Sequence, residues 1–206
     1  MKDFSLTTRV VSRAEESSVV LVAQCIREGG VCVLPTDTVY GFSGIVPHSQ
    51  SRIYAIKGRD EGKPFIQLLA NPADIYRYTD VVIPEQFFSL WPGAVTIIVP
   101  VKSPEDGATE KTTVAFRCPG DSWLRKIIDL VGAPIYSTSV NRSGQPVIGR
   151  IDSICQEFSG EVELIVEGDE SIVPHAQPST LVELLPDGKC RIVRQGSVVI
   201  PCELLV

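Results

Sequence analysis

Apolar positions recur along this chain at two periods, and the period changes from one segment to the next. Val19, Val22, Ala23 and Ile26 fall on one helical face. Ser12 and Glu15 have capping-box spacing and Gly29-Gly30 offers a left-handed stop, so residues 13 to 28 are predicted to be helix. VCVLP follows as a buried strand ending at Pro35. A second helical pattern from 49 to 57 turns Ile53 and Ile56 inward, and FIQLLA from Phe65 reads as strand. VTIIVP from Val95 and TVAFR from Thr113 are further strands. WLRKIIDLVG from Trp123 is an amphipathic helix closed by Gly132, and PIYSTS from Pro134 is another short strand. STLVELL from Ser179 and CRIVR from Cys190, separated by the turn signal PDG, read as a hairpin. Alternation of this kind implies an α/β sheet flanked by helices, and the hairpin makes that sheet mixed parallel/antiparallel. NRSGQPVIGR, at 141 to 150, is the loosest stretch, rich in turn formers and able to order over a ligand.

With 206 residues, 44% of them hydrophobic, the chain is long enough to bury a sizeable core, and one domain over 1–206 is expected. A formal charge of -6 excludes a surface that grips a phosphate backbone throughout, while leaving room for a local basic pocket. The six cysteines include no C-x-x-C pair and no neighbouring histidine at ligand spacing. They encode neither a zinc site nor a disulfide framework and read as small buried hydrophobes. MKDFSLTTRVVSRAEE lacks the apolar core of a secretory signal, and no run approaches the roughly 20 apolar residues of a bilayer span, so a cytoplasmic location is expected.

Three segments carry the candidate chemistry. KGRDEGKPF, at 57 to 65, places Lys57, Arg59 and Lys63 close enough to repel one another, and a bound anion would offset that repulsion. LPTDTVYG, at 34 to 41, presents hydroxyls and backbone amides at the carboxyl end of a strand, where ligands of open α/β sheets bind. STSVNRSG, at 137 to 144, gathers short polar side chains and backbone donors that suit a phosphate or a carboxylate. Arg117 and Arg194 add guanidiniums at two strand ends. Taken singly, each segment has a bland reading as a solvated helix end or a self-satisfied turn. Their coincidence in one small chain lowers its weight. No G-x-S-x-G elbow or P-loop is present, and His48 and His175 lie outside the motifs.

In order, the PTDTVYG segment, K-x-R followed by K-P, WPG before a strand, the V-A-x-R strand, S-T-S-x-N-x-S-G, a late S-T pair and a last R-x-G resemble the YrdC family of L-threonylcarbamoyladenylate synthases over nearly the whole chain. The resemblance implies a twisted mixed sheet with a concave positive face. It also implies synthesis of threonylcarbamoyl-AMP and pyrophosphate from L-threonine, bicarbonate and ATP with Mg2+, for tRNA modification by a downstream threonylcarbamoyl transferase machinery. Carried over by motif, Lys57, Arg59, Ser139 and Asn141 match the family's invariant tetrad. Arg59, Lys63, Thr113, Ser139, Val147 and Arg194 would surround ATP, and Thr36, Arg117, Ser137 and Ser179 would hold threonine. The resemblance identifies no metal ligand. Ala94, Phe65 and Leu68 depart from the family's usual proline, leucine and histidine. Asp37, the only acid within the threonine-side motifs, is open to two readings, as a base or as a residue that orients its loop. An RNA-binding module using the same basic face is the alternative. The motifs disfavour it and strong direct tRNA binding, because their cations are interleaved with Ser, Thr, Gly and Pro rather than with aromatics.

Overall fold

The computed structural model describes residues 6–60, 64–102, 112–168 and 177–206. Its first half contains β1 (Arg9–Ser12), α1 (Ser18–Arg27), β2 (Cys32–Leu34), β3 (Gly41–Ile45), α2 (Gln50–Lys57) and β4 (Ile66–Leu68). A 3-10 helix at Pro72–Arg77, α3 (Glu85–Phe88), β5 (Val95–Pro100), β6 (Thr113–Arg117), α4 (Ser122–Val131) and β7 (Ile135–Ser139) follow. The chain continues through α5 (Ile151–Phe158), β8 (Leu164–Glu167), β9 (Thr180–Leu184), β10 (Cys190–Arg194) and a 3-10 turn at Cys202–Leu204. Among the described residues the strands form one sheet of ten in the order β1-β8-β2-β3-β7-β4-β6-β5-β9-β10, with parallel and antiparallel neighbours mixed, as the sequence implies. Among the described residues, no helix is long and apolar enough to cross a membrane.

The two faces of this sheet are covered differently, and that difference creates the site. Strand register puts Val33, Phe42 and Tyr136 on one face with Phe116, Ile97 and Val182. Ile53 and Ile56 of α2 and Ile154 and Phe158 of α5 bury the first group. Ile75, Phe87 and Trp91, from the 72–91 segment, bury the second. On the opposite face Leu34, Leu68 and Ile135 lie under Val22 and Ile26 of α1 and Leu124, Ile127 and Ile128 of α4. The same face continues through Ile66, at the edge of that cluster, to Ala115, Ile98 and Leu181, beyond the reach of α1 and α4, and there it stays open.

Strands β5 and β6 and the β9–β10 hairpin form over the predicted residues, and Gly132 closes α4 with a φ of 76°. Asp121 caps α4 by accepting from the Trp123 and Leu124 amides, and it also takes a bidentate ion pair from Arg13. That pairing explains why α1 begins at Ser18 rather than near residue 13. Arg13 donates its backbone N–H to the Glu167 carbonyl, continuing the line of β1, so the Ser12–Glu15 box closes a turn instead of starting a helix. Strands β1, β3 and β8 and helices α3 and α5 have no counterpart in the sequence reading. In GFSGI only Phe42 and Ile45 are large apolar residues, and the strand is buried by close approach: a Cβ at Gly44 would stand 2.5 Å from the Ser49 Cβ.

Of the cysteines, Cys32, Cys118 and Cys190 are buried as expected, whereas Cys202 is exposed and Cys25 and Cys155 are half-buried. Cys32 and Cys25 are not isolated: their sulfurs lie 3.5 Å apart as paired thiols, which lowers the Cys25 pKa and raises that of Cys32.

Candidate functional site

The open part of the sheet is the floor of a cleft of about 450 Å3. Ile66, Ile98, Ala115 and Leu181 form its apolar base. Arg59, Arg117 and Arg194 enter from three different segments, and Thr38, Ser137, Ser139 and Ser179 supply hydroxyls. Guanidiniums and hydroxyls over an apolar floor suit a ligand with an anionic and an uncharged part. Val147, 47% exposed, closes one side from the 141–150 loop.

Arg117 is 4% exposed and is held on three sides. Its Nε donates to the Gly93 carbonyl at 2.9 Å, Nη1 to Thr38 Oγ1 at 3.0 Å and Nη2 to Asp37 Oδ1 at 2.5 Å. Burial lowers its pKa, and the Asp37 carboxylate opposes that shift. Arg194 donates through Nη2 to the Ser179 carbonyl at 3.0 Å, and its pKa falls through burial first and the nearby Arg117 second. Ser179 Oγ shares a hydrogen bond with Thr96 Oγ1 at 2.7 Å, so the late S-T pair is fixed to β5 as well as to Arg194. Thr36 lies just beneath the lining: it donates to the Val39 carbonyl at 2.8 Å, with its hydroxyl 3.0 Å from that of Thr38.

Lys57 is 2% exposed and points away from the open cleft. Its ammonium donates to the carbonyls of Ser139 and Asn141 and to Asn141 Oδ1, the last at 2.8 Å. Ser139 Oγ donates to the same Oδ1 at 2.8 Å. Lys57, Ser139 and Asn141 thus meet as one unit in which Lys57 braces the turn after β7 and Ser139 borders the cleft, while Arg59 stays apart from it. Burial, then repulsion from Arg59, lowers the Lys57 pKa to about 8. Specific 13C labelling of lysine is expected to show one side-chain resonance titrating at about 8, well below the ~10.4 of a free lysine. Because the folded value lies below the unfolded one, the unfolded chain holds more protons between them, so this group's contribution to stability rises with pH across that window. A lysine spectrum without such a resonance would contradict the buried geometry.

Arg59 stands at the cleft mouth with its guanidinium carbon 5.2 Å from the centre of the Phe65 ring, and its buried Nε has no hydrogen-bond partner among the described residues. Phe65, the departure noted in the sequence, is therefore the platform under this arginine. Thr113 is exposed at the far end of β6 from Arg117 and outside the cleft lining. Lys63 and His175 fall outside the described residues, and His48 is exposed. The sequence reading missed the floor. Its only local trace is VTIIVP, in which Thr96 and Ile98 alternate with the core residues Val95, Ile97 and Val99, so both faces of the strand carry apolar side chains.

The 141–150 stretch, read from sequence as loose, is anchored at both ends. Ser143 N donates to the Lys57 carbonyl at 2.7 Å, Ile148 N donates to the Val140 carbonyl at 2.9 Å, and Arg142 pairs with Glu157 and Glu161. Within it Gln145 is held as well, its amide donating to the Arg142 carbonyl at 3.0 Å and its carbonyl accepting from Asn141 Nδ2 at 2.6 Å.

A mixed sheet whose uncovered face is a cleft walled by arginines and serines places the chain among α/β proteins with a concave polar site on one sheet face. The Sua5_yciO_yrdC family, described as Telomere recombination, matches residues 24–196, and the chain belongs to that family. Threonylcarbamoyl-AMP synthase of Rattus norvegicus is 31% identical over 180 residues, covering 83% of this chain and 64% of that protein. The threonylcarbamoyl-AMP synthase of Pseudoalteromonas translucida is 29% identical over 182 residues, covering 84% and 96%. Pyrococcus abyssi Sua5, in a crystal structure complexed with L-threonine, superposes with a TM-score of 0.79 at 29% identity, over 93% of this chain and 58% of that one. The chain thus spans less than two thirds of the rat and archaeal proteins.

Proposed function

We propose that this protein makes threonylcarbamoyl-AMP from L-threonine, bicarbonate and ATP, releasing pyrophosphate, and that the product serves threonylcarbamoyladenosine formation in tRNA by a downstream transferase. The observation that carries this reading is the convergence of Arg59, Arg117 and Arg194 with Ser137, Ser139 and Ser179 around one cleft. The relatives bearing that activity in their names support it, as does the L-threonine complex of the archaeal neighbour.

In this reaction the threonine amine takes up bicarbonate with loss of water to give a carbamate. The carbamate oxygen then attacks the α-phosphorus of ATP, and the bond to the bridging oxygen breaks as pyrophosphate leaves. Both reactants are anions, so the barrier is largely electrostatic. Fixed guanidiniums lower it without needing to reorganise during the step. Arg117, with Thr36, Ser137 and Ser179, would hold threonine. Arg59, Ser139, Val147 and Arg194 would hold the nucleotide, joined by Lys63. Magnesium would arrive with the triphosphate as part of the substrate. Among the described residues no group of three His, Cys, Asp or Glu side chains is placed to hold a metal ion.

Incubating the purified protein with ATP, Mg2+, threonine and bicarbonate is expected to yield pyrophosphate and a threonylcarbamoyl adenylate, with pyrophosphate depending on both threonine and bicarbonate. Equal release from ATP alone would mark a plain nucleotidase and defeat the proposal. Amide hydrogen exchange gives a second check. Saturating ATP, Mg2+ and threonine are expected to slow exchange at the Gly144 and Val147 amides, with little change at Ser143, Gln145 and Ile148, whose amides are already bonded. Uniform protection across 141–150 would mean that the anchors seen here do not hold in solution.

A further inference from the structure

Asp37 is a carboxylate beside the cleft to which the proposed reaction gives no part. Its two oxygens have different partners: Oδ1 accepts from Arg117 Nη2, and Oδ2 accepts from the Gly120 amide at 2.8 Å. Three segments therefore meet on one side chain, namely the turn after β2, the end of β6 and the turn before α4. Gly120 leaves room for it, since a Cβ there would stand 3.1 Å from Asp37 Oδ2. The arginine it grips has five N–H groups. One N–H on each of Nε, Nη1 and Nη2 is taken, by Gly93, Thr38 and Asp37 respectively. One N–H remains on each terminal nitrogen, the number a single carboxylate accepts from a guanidinium fork.

We propose that Asp37 is a positioning residue, whose carboxylate locks the rotation of the Arg117 guanidinium so that its two remaining N–H groups serve one substrate carboxylate. With both oxygens engaged, Asp37 orients the loop and the arginine, which decides between the two readings its sequence left open. The inference rests on the amino-acid role given to Arg117 above, and it adds that the discrimination is for the carboxylate end of the substrate and is set by a residue one step removed from it. Without Asp37, Nη2 would keep two unpaired N–H groups in a buried site, and the planar fork could rotate away from its aim.

Asp37→Asn preserves size while removing the charge. In the wild-type protein, 15N spectra of labelled arginine are expected to show an Arg117 Nε–H protected from solvent exchange. In Asp37→Asn the same signal should exchange at least about tenfold faster, because the fork has lost its charged anchor. The KM for threonine should rise about tenfold while that for ATP stays within about twofold, with thermal melting as the check on folding. Unchanged exchange at Arg117, or KM values for threonine and ATP that rise together, would overturn the assignment. A wild-type protein that forms no threonylcarbamoyl adenylate would instead defeat the reading of function, and the exchange measurement would then decide the positioning role alone.

Discussion

Lys57→Ala is expected to lower both stability and turnover, whereas Arg59→Ala should lower turnover alone. The two residues are two positions apart and read alike as members of one basic cluster, but they have opposite surroundings. The Lys57 ammonium is buried and donates to three oxygens of the 139–141 turn. Truncating it leaves those acceptors facing a cavity, at a cost on the order of 3 kcal/mol or more. For a chain of this length that corresponds to a fall in Tm of roughly 6 to 12 °C. Arg59 rests on Phe65 at the cleft mouth with its Nε unpartnered among the described residues, so its removal costs the fold little. Its Tm should stay within about 2 °C of wild type while pyrophosphate release falls at least about tenfold, the size of effect seen when one electrostatic donor is lost. Melting curves and initial rates on the two variants decide this. A Lys57→Ala protein that melts with the wild type would remove the bracing role, and an Arg59→Ala protein with normal turnover would remove that arginine from the reaction.

How much of this was legible in the sequence depends on whether a feature is local. VTIIVP and TVAFR carry their strand character in their own β-branched and apolar runs, and WLRKIIDLVG carries both its amphipathic face and its glycine stop, so these elements form where predicted. GFSGI carries almost none, because its burial comes from how closely Gly44 approaches Ser49 across the fold. The site divides in the same way. Motifs gave the residue types, and Arg59, Arg117, Arg194, Ser137, Ser139, Ser179 and Val147 do border one cleft. Which cation faces the ligand and which braces the wall was not readable, since Lys57 and Arg59 differ only in the direction the helix end gives them. The floor was equally hidden. Ile98 and Leu181 are uncovered only because α1 and α4 stop short of them, which is a property of the layers and not of any segment.

Gly196→Ala is expected to damage both the fold and the site, although a single methyl is added and the residue touches no ligand in the proposed reaction. A Cβ at this position would lie 2.2 Å from the Pro178 carbonyl oxygen, 2.4 Å from the Thr180 nitrogen and 2.5 Å from the Ser179 carbonyl carbon. All three are backbone atoms, so no rotamer change relieves the clash, and the last R-x-G of the family pattern is explained by space. The start of β9 must then move. It is tied to its surroundings by Thr180 Oγ1, which accepts from the Gly196 amide and donates to the Val198 carbonyl, and by the Ser179 hydroxyl bonded to Thr96. Displacing it also separates Ser179 from the Arg194 guanidinium that donates to its carbonyl. Overpacking of this kind costs about 1 to 3 kcal/mol, and rigid backbone on three sides puts this case at or above the upper end. Thermal melting should therefore fall by roughly 6 °C or more, and the fraction that remains folded at low temperature should show a raised KM for threonine. A variant with wild-type melting and wild-type KM would mean that the 178–180 segment yields without cost, and that the glycine is not what holds Ser179 against the cleft.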